Sequence, residues 1–492
     1  MKLLSLLTLA VSASACADHA QRPYTERKSH ETFTGRISAS NVSEYRYIPF
    51  EVSPGVTSIH INYDYTNRTA SSVYAGVFDE RGHTLENGKN LTAGFRGWSF
   101  ALLNVWTFTP TETTPMYVGG PVAPGTWSVV LVDSKIVGEY VDYNITITYG
   151  YKPIPQSAQR FSLQPAPADL GVDARRRARM DNATDGEIWL KGDFHVHTTY
   201  SDGLWTPQEQ VANAQSVGLD FWISTEHNSV SGNNVMGAFA PEDMLIGRGM
   251  EVTTRFGHWQ AVGLEHSQTP EWRYEPESEG FADAVQQVHR GGGFVSVNHP
   301  YMQCKECLWN LDADLGYADS VEIWNGGVTE EINQLAIELW QGLLAQGRRI
   351  TGIGGSDTHN PPSMIGWPTT RVKARSLSTA AIVDGVKRRR VYITDRPEKE
   401  IDFIVVGEGI HAQIGDVVET NGGTITARLA TTGFAGQIVS FITEKGYLRN
   451  ETVQDEGEPI TLDIEEGTKF LRVEIRNATG NFTGLTNPIY LE

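Results

Sequence analysis

Six histidines of this 492-residue chain close runs that read as successive strands, and each has acidic or amide neighbours. His195 and His197 lie in Asp-Phe-His-Val-His, His227 in Ser-Thr-Glu-His-Asn, His258 in Gly-His-Trp-Gln, His299 in Val-Asn-His-Pro and His359 in Gly-Ser-Asp-Thr-His. Asp202, Glu251 and Asp357 complete the set. Imidazoles and carboxylates together suit Zn²⁺, Mn²⁺ and Fe²⁺ alike. Gathered at strand ends, they would form a hydrolytic centre of two or three cations. Such a centre makes hydroxide available near neutral pH and polarises the bond to be cut.

His195 and His197 are two apart on a strand, so their side chains share a face, with Phe194 and Val196 on the other. Alone, the pair reads equally as two buried structural histidines. Asp202, in Tyr-Ser-Asp-Gly, alone is a turn residue. Glu251, His258, His299 and the Asp357-Thr-His359 group alone are capping or core polar groups. Recurrence at the carboxyl ends of strand after strand favours ligands. No Ser–His–Asp nucleophile is needed, and Ser224 and Ser356 read as packing residues. Glu226, Asn228, Asn325 and Trp324 are candidates for flanking the ligands or the pocket. Arg248 and Arg255 stand near Glu251 and could meet a phosphate or form structural salt bridges.

Elements that could position these groups begin at Ile188. Thr206-Pro-Gln-Glu209 is a capping box with Pro at the first helical position, and Gly218 closes that helix. Strand Phe221–Ser224 follows. A helix at about 280–290 ends at Gly291 before strand Phe294–Val297. An apolar stripe at helical spacing runs from Glu330 towards Gly347, before a strand from Ile350. Repeated strand–helix units predict an α/β region with a parallel sheet closed into a barrel.

The flanks read differently. Residues 21–152 hold short alternating strands such as Val56–Tyr63 and Trp127–Val132, which predict a β-sandwich. Residues 153–187 form a Pro-rich linker ending in a basic cluster, Arg175–Arg179. Residues 188–399 carry the candidate ligands, and residues 400–492 return to strands, a second β-sandwich. Trp98, Trp106 and Trp127 read as sandwich core, with carbohydrate contact as the alternative.

His195-Val-His197, Ser201-Asp202-Gly, Glu226-His227-Asn, Glu251, His299 and Ser356-Asp357-Thr-His359 resemble the ordered motifs of the PHP (polymerase and histidinol phosphatase) superfamily. Gly249-Met-Glu-Val-Thr-Thr and Glu322-Ile-Trp-Asn-Gly-Gly resemble its CehA/McbA-type metallohydrolase branch. The resemblance spans about 188–399. It implies a distorted (β/α)7 barrel holding two or three Zn, Mn or Fe ions. It also implies a hydrolase, most often a phosphoesterase, with carboxylic or carbamic esters as the alternative. By motif position, His195, His197, Glu251 and Asp357 would hold one ion. Glu251 would bridge to a second, held with His299 and His258. Asp202, His227 and His359 would hold a third. Glu226 departs from the Asp common at that position. A non-catalytic protein with a relic barrel and glycan- or surface-binding sandwiches is the reading from another class, and the intact ligand set counts against it.

A net charge of −19 argues against nucleic acid or an anionic membrane as the main partner and leaves a small-molecule ester as the expected substrate. Residues 1–17 read as a secretory signal peptide, a basic start and apolar run closed by Ala13-Ser-Ala15, too short to span a membrane after processing. Lipidation at Cys16 is the alternative, although the usual Leu three residues earlier is missing. Eight Asn-x-Ser/Thr sequons (Asn41, Asn67, Asn90, Asn144, Asn182, Asn450, Asn477 and Asn481) avoid residues 188–399 and suit a secreted, eukaryotic glycoprotein. In that setting Cys304 and Cys307 are expected to form a local disulfide, with metal or redox chemistry as the alternative.

Overall fold

The computed structural model describes residues 28–39, 44–83, 92–100, 102–155, 161–173, 186–266, 268–276, 278–304, 307–312, 314–420, 422–454 and 457–492. The expected signal peptide, Cys16, the basic cluster and sequons Asn41, Asn90 and Asn182 lie outside them.

Two four-stranded antiparallel sheets form the N-terminal region. One runs His30–Ser38, Tyr140–Gly150, Ser58–Tyr65, Val105–Phe108, and the other Arg46–Val52, Gly125–Lys135, Ser72–Phe78, Phe95–Trp98. Alternation explains the packing. Ile59, Ile61, Tyr63 and Tyr65 are buried, while His60, Asn62 and Asp64 face solvent. Trp106 and Trp127 sit in the shared core. Trp98 is buried against the central region. All three are therefore removed as exposed carbohydrate stackers.

The central sheet is built from β1 (Ile188–Val196), β2 (Phe221–Ser224), β3 (Leu245–Thr254), β4 (Gly257–Val262), β5 (Phe294–Val297), β6 (Ser320–Asn325) and β7 (Thr351–Gly355), hydrogen-bonded in that order. It curls until its ends meet. Asp357 N donates to His195 O at 2.9 Å and His197 N to Thr358 O at 3.2 Å. Below this point β1 instead pairs antiparallel with Thr369–Ala374, Ile188 facing Ala374 and Gly192 facing Thr370. The strands thus close only at the end carrying the histidines.

This α/β architecture is coarser than the expected (β/α)7 barrel. β4 runs antiparallel to both β3 and β5. The turn between Thr254 and Gly257, with Gly257 at φ +118°, is too short for a helical crossover. Among the described residues three α-helices connect the seven strands: α1 (Pro207–Ser216), α2 (Gly280–Arg290) and α3 (Glu330–Ala345). The stretch between β2 and β3 is rich in Asn, Ser and Gly, and its helix is a single 3₁₀ turn at Met236–Ala238. α1 begins at the reciprocal Thr206–Glu209 capping box. α3 buries Ala336, Ile337, Trp340, Leu343 and Leu344, one stripe, against the β6 side of the sheet.

Asp169–Asp173, within the expected linker, pairs antiparallel with Ser376–Ser378 as a separate two-stranded sheet, and the strands of the C-terminal region form a second sandwich with its own core. One sheet orders Ile410–Gln413, Glu400–Gly407, Ile425–Thr432, Ile460–Ile464. The other continues the central sheet through Thr369–Ala374, Val391–Thr394 and Phe482–Thr486. No helix among the described residues is long and apolar enough to cross a membrane.

Candidate metal centre

Asp193 starts the site. Its Oδ1 accepts from His195 N and Ser356 N, both at 3.0 Å, and its Oδ2 from Gly366 N at 2.6 Å. Burial pushes this carboxyl up, although those donors oppose the shift. One side chain thereby ties the ends of β1 and β7 together where the β1–β2 ladder is irregular, between Asp193 and Val196. His195 and His197 follow, both fully buried. Phe194 packs instead between Phe221 and Phe294.

Glu251, at the turn of β3 into the site, is the hub. Its Oε2 lies 3.1 Å from His195 Nε2, 3.3 Å from His197 Nε2 and 3.1 Å from His227 Nδ1. Its Oε1 lies 3.2 Å from both His258 Nδ1 and His299 Nε2. Asp357 Oδ1 lies 3.3 Å from His195 Nε2, 3.2 Å from His197 Nε2 and 3.5 Å from His359 Nδ1. Asp202 Oδ1 lies 3.5 Å from His227 Nε2 and 3.3 Å from His359 Nε2. Seven of the nine candidate ligands therefore line one pocket, and His195 and His197 lie buried against them. Four overlapping groups have donor atoms within 4.8 Å of one another: His195, His197 and Asp357; His195, Glu251 and His299; His227, Glu251 and His258; and His197, Asp202, His227 and His359.

Glu251 Oε1 is hydrogen-bonded, to His299 Nε2 at 3.2 Å and to Asn298 Nδ2, which donates at 2.9 Å, but much of the remaining proximity is not hydrogen bonding. His195 Nε2, His197 Nε2, Glu251 Oε2, Asp202 Oδ1 and both ring nitrogens of His258 are buried without a hydrogen-bond partner. Buried polar atoms are rarely left so. Lone pairs that converge without pairing are the arrangement a cation would complete, so the donor set fits divalent ions.

Without cations the charges settle on the ligands themselves. Burial opposes ionisation of Glu251 and Asp357, yet neighbouring imidazoles, His195 foremost, hold both well below the usual carboxylate range. Burial likewise opposes charging of His197, but Asp357 and Glu251 push it up to about 10. His195 is raised well above its ordinary value against burial, by Asp357, Glu251 and Glu322. His227 goes the other way, to about 3, because burial outweighs the nearby Asp202 and Glu251.

Around the ligands stand residues that aim them. Glu322 Oε1 is 2.9 Å from His195 Nδ1, and its Oε2 accepts from His299 N and Asn325 Nδ2, both at 3.0 Å. Asn325 Nδ2 also donates to Asp357 Oδ2 at 3.1 Å. Asn228 pairs with Thr253 through both side-chain amide atoms and holds φ +43°. Glu226 accepts from Thr198 and Ser201 and so fixes the loop that carries Asp202. Arg255 pairs with Glu275 over the Phe256 ring, and Arg248 donates to the carbonyls of Leu264 and Ala166. Neither arginine lines the pocket. Trp324 is in the core near α3.

The pocket measures about 240 Å³. Beyond the ligands and Thr253 it is lined by Tyr74, Phe100, Met302 and the Cys304–Cys307 disulfide. The sequence reading left Glu322, Asp193, Tyr74 and Phe100 without a role at the site.

No family model matches the chain, and no curated protein sequence matches it. Solved structures do. One is a two-domain protein from Bacteroides vulgatus containing a predicted PHP-like metal-dependent phosphoesterase, at 20% identity and TM-score 0.35, covering 68% of this chain and 100% of that one. A second is an amidohydrolase from Chromobacterium violaceum with bound sulfate and no metal, at 15% identity and TM-score 0.28, covering 41% and 96%. A third, named as a metal-dependent phosphoesterase, comes from Bifidobacterium adolescentis, at 20% identity and TM-score 0.26, covering 36% and 90%.

Proposed function

We propose that this chain is a metal-dependent hydrolase of the PHP type that cleaves a small ester, a phosphoester first. The observation that carries this is nine His, Asp and Glu side chains gathered in overlapping groups at one pocket, six of them with a buried ring nitrogen or carboxylate oxygen that has no hydrogen-bond partner. Two or three divalent cations (Zn, Mn or Fe), when bound, would supply Lewis acidity and hydroxide near neutral pH. The chain's own part is to hold the set. His195, His197, Glu251 and Asp357 would grip one ion, with Glu322 and Asn325 fixing their orientation. Glu251 would share a second with His258 and His299, and Asp202, His227 and His359 would hold a third.

A carboxylic or carbamic ester is the second reading. It is favoured by one observation: Tyr74, Phe100 and Met302 line the pocket beside the candidate ligands and would offer apolar contact to an uncharged ester.

We also propose that the protein is secreted and glycosylated. The signal-like start, the disulfide and the exposure of Asn67, Asn144, Asn450 and Asn481 support this, and Asn477 is half-buried.

The test is elemental analysis of the full chain with turnover of a p-nitrophenyl ester panel, on wild type and on His195→Ala and Asp357→Ala. Two or three ions, with phosphate-ester turnover abolished in both variants, is the expected result. Turnover of carboxylic esters alone selects the second reading, and neither ions nor turnover overturns both.

A further inference from the structure

A cavity of about 600 Å³ lies where the N-terminal sandwich, the linker and the central region meet. Among the described residues it shares no lining with the metal pocket. Phe95, Arg96 and Val118 come from the sandwich, Phe161 and Leu163 from the linker, and Val230 and Asn234 from the stretch between β2 and β3. The linker wall is pinned on both sides: Phe161 N donates to Pro110 O and Gln164 N to Asn234 O, both at 2.7 Å. The volume falls within the roughly 300–1,000 Å³ of small-molecule sites.

Arg96 gives this cavity its chemistry. The side chain is 2% exposed. Its Nε donates to Val118 O at 2.8 Å and its Nη1 to Pro121 O at 3.1 Å, and the guanidinium lies 5.3 Å from the centres of both the Phe108 and Trp127 rings. The buried carboxylate beside it is already committed. Asp79 takes Arg81 with both oxygens, at 3.0 and 2.8 Å, and stands off at 3.5 Å from Arg96 Nη1. Two guanidinium groups thus share one buried carboxylate. Glu80, the other acid on the lining, is exposed, and solvent screens its charge. Arg96 Nη2 has no hydrogen-bond partner among the described residues. A buried charge left so under-neutralised is costly. Space remains beside it. Gly120, at φ +146°, also lines the cavity, and a Cβ placed there would meet only Arg96 Nη2, at 3.8 Å.

The other side of the junction offers the complement. Asn234 is also 2% exposed, and its Oδ1 lacks a partner among the described residues. A spare donor from the sandwich and a spare acceptor from the central region therefore line one cavity, with Phe95, Val118, Phe161, Leu163 and Val230 as its apolar wall. We propose that this cavity is a second ligand site, separate from the metal centre, for a small monocarboxylate with an apolar body and a hydroxyl or amide N–H donor. The carboxylate neutralises Arg96 through Nη2, the donor meets Asn234 Oδ1, and the body rests against Phe161 and Val230. The site needs both domains, so its occupant bridges them.

The experiment uses the full chain loaded with Mn²⁺ and measures binding of N-acetylleucine and N-acetylphenylalanine against their primary amides by calorimetry. Crystals soaked with N-acetyl-4-bromophenylalanine locate the bromine by anomalous scattering. At least one acid should bind about tenfold or more tighter than its amide, the scale of one charge-assisted hydrogen bond. The bromine should lie beside Phe161. Asn234→Leu and Phe161→Ala should each weaken the acid by about tenfold, with bound metal and melting temperature nearly unchanged. Arg96→Gln should remove the advantage of acid over amide. Should that variant fail to fold, the other two decide. No binding of either acid, equal affinity for acid and amide, or binding untouched by Asn234→Leu and Phe161→Ala with bromine at the metal centre would each overturn the proposal.

Discussion

His195 Nδ1 lies 2.9 Å from Glu322 Oε1 while its Nε2 faces both Glu251 and Asp357, so one imidazole is aimed by one carboxylate at two others. Partners of this kind fix ring orientation and raise ligand basicity. Glu322→Gln keeps the shape and removes the charge. It should weaken cation binding by about 10–100-fold, read by competition with a chelating dye. Unchanged affinity would mean that burial alone orients the ring.

Removing a ligand should do more. Glu251 approaches five histidines, so Glu251→Gln should lower metal stoichiometry by at least one ion per chain. Turnover should fall by three orders of magnitude or more, roughly 4 kcal/mol of barrier. Elemental analysis beside a single-turnover assay decides it.

Cation binding should release protons. His197, pushed up to about 10, and His195, raised well above its ordinary value, should be protonated near neutrality in the cation-free protein, and both must lose a proton before Nε2 can bind an ion. Affinity should therefore climb as pH rises from 6 towards about 10. Calorimetry in buffers of different ionisation enthalpy would count the protons, and a pH-independent affinity would contradict the picture. Without cations these raised histidines stabilise the fold fully below their ordinary value of 6.5, and that share fades as pH climbs to about 10. The depressed Asp357 and Glu251 contribute above their ordinary carboxylate range, and their share is lost as pH falls through their lowered values. Melting curves of the apo-protein should thus soften on both sides of neutrality, and added metal should flatten the alkaline loss.

Trp272 is 1% exposed and touches aromatic rings of the N-terminal sandwich. Trp272→Ala should cost about 3–5 kcal/mol of stability. Because Trp272 packs on Trp98, two residues before the pocket-lining Phe100, KM should rise while bound metal is retained. Denaturant titration with steady-state kinetics checks both.

Cys304 and Cys307 close a very short loop, so the chain-entropy gain of their bond is at most about 2 kcal/mol. Their larger effect should be on the pocket they line. Cys304→Ser with Cys307→Ser should shift KM several-fold and melting temperature only slightly, as a thermal scan and kinetics would show.

The nine candidate ligands stood out because most lie at or just past strand ends, where a curled sheet collects its chemistry, although Asp202 lies in a turn, Glu251 within β3 and His258 at the start of β4. Asp193 and Glu322 did not, because a lone acid on an apolar strand looks the same whether it faces solvent or holds a histidine. Asp193 did leave a trace: two residues before His195 on one strand, it shares that histidine's face. The reversal of β4 was also readable, since only Arg255 and Phe256 separate two strands and no helix fits between. Tyr74 and Phe100 left no trace. They reach the site through tertiary docking from more than a hundred residues away, which local patterns cannot record.

β1 pairs with β2 along one edge and divides its other edge between two partners, Thr369–Ala374 along its first half and the β7 end at His195–His197. A strand clamped at both ends cannot slide, and a slip of one residue would turn both histidines outward and Phe194 into their place. Through Val391–Thr394 that clamp is continuous with the C-terminal sheet. The last strands of the chain, which supply no ligand, thus act as a ruler: they keep the phase of the strand on which the metal centre depends.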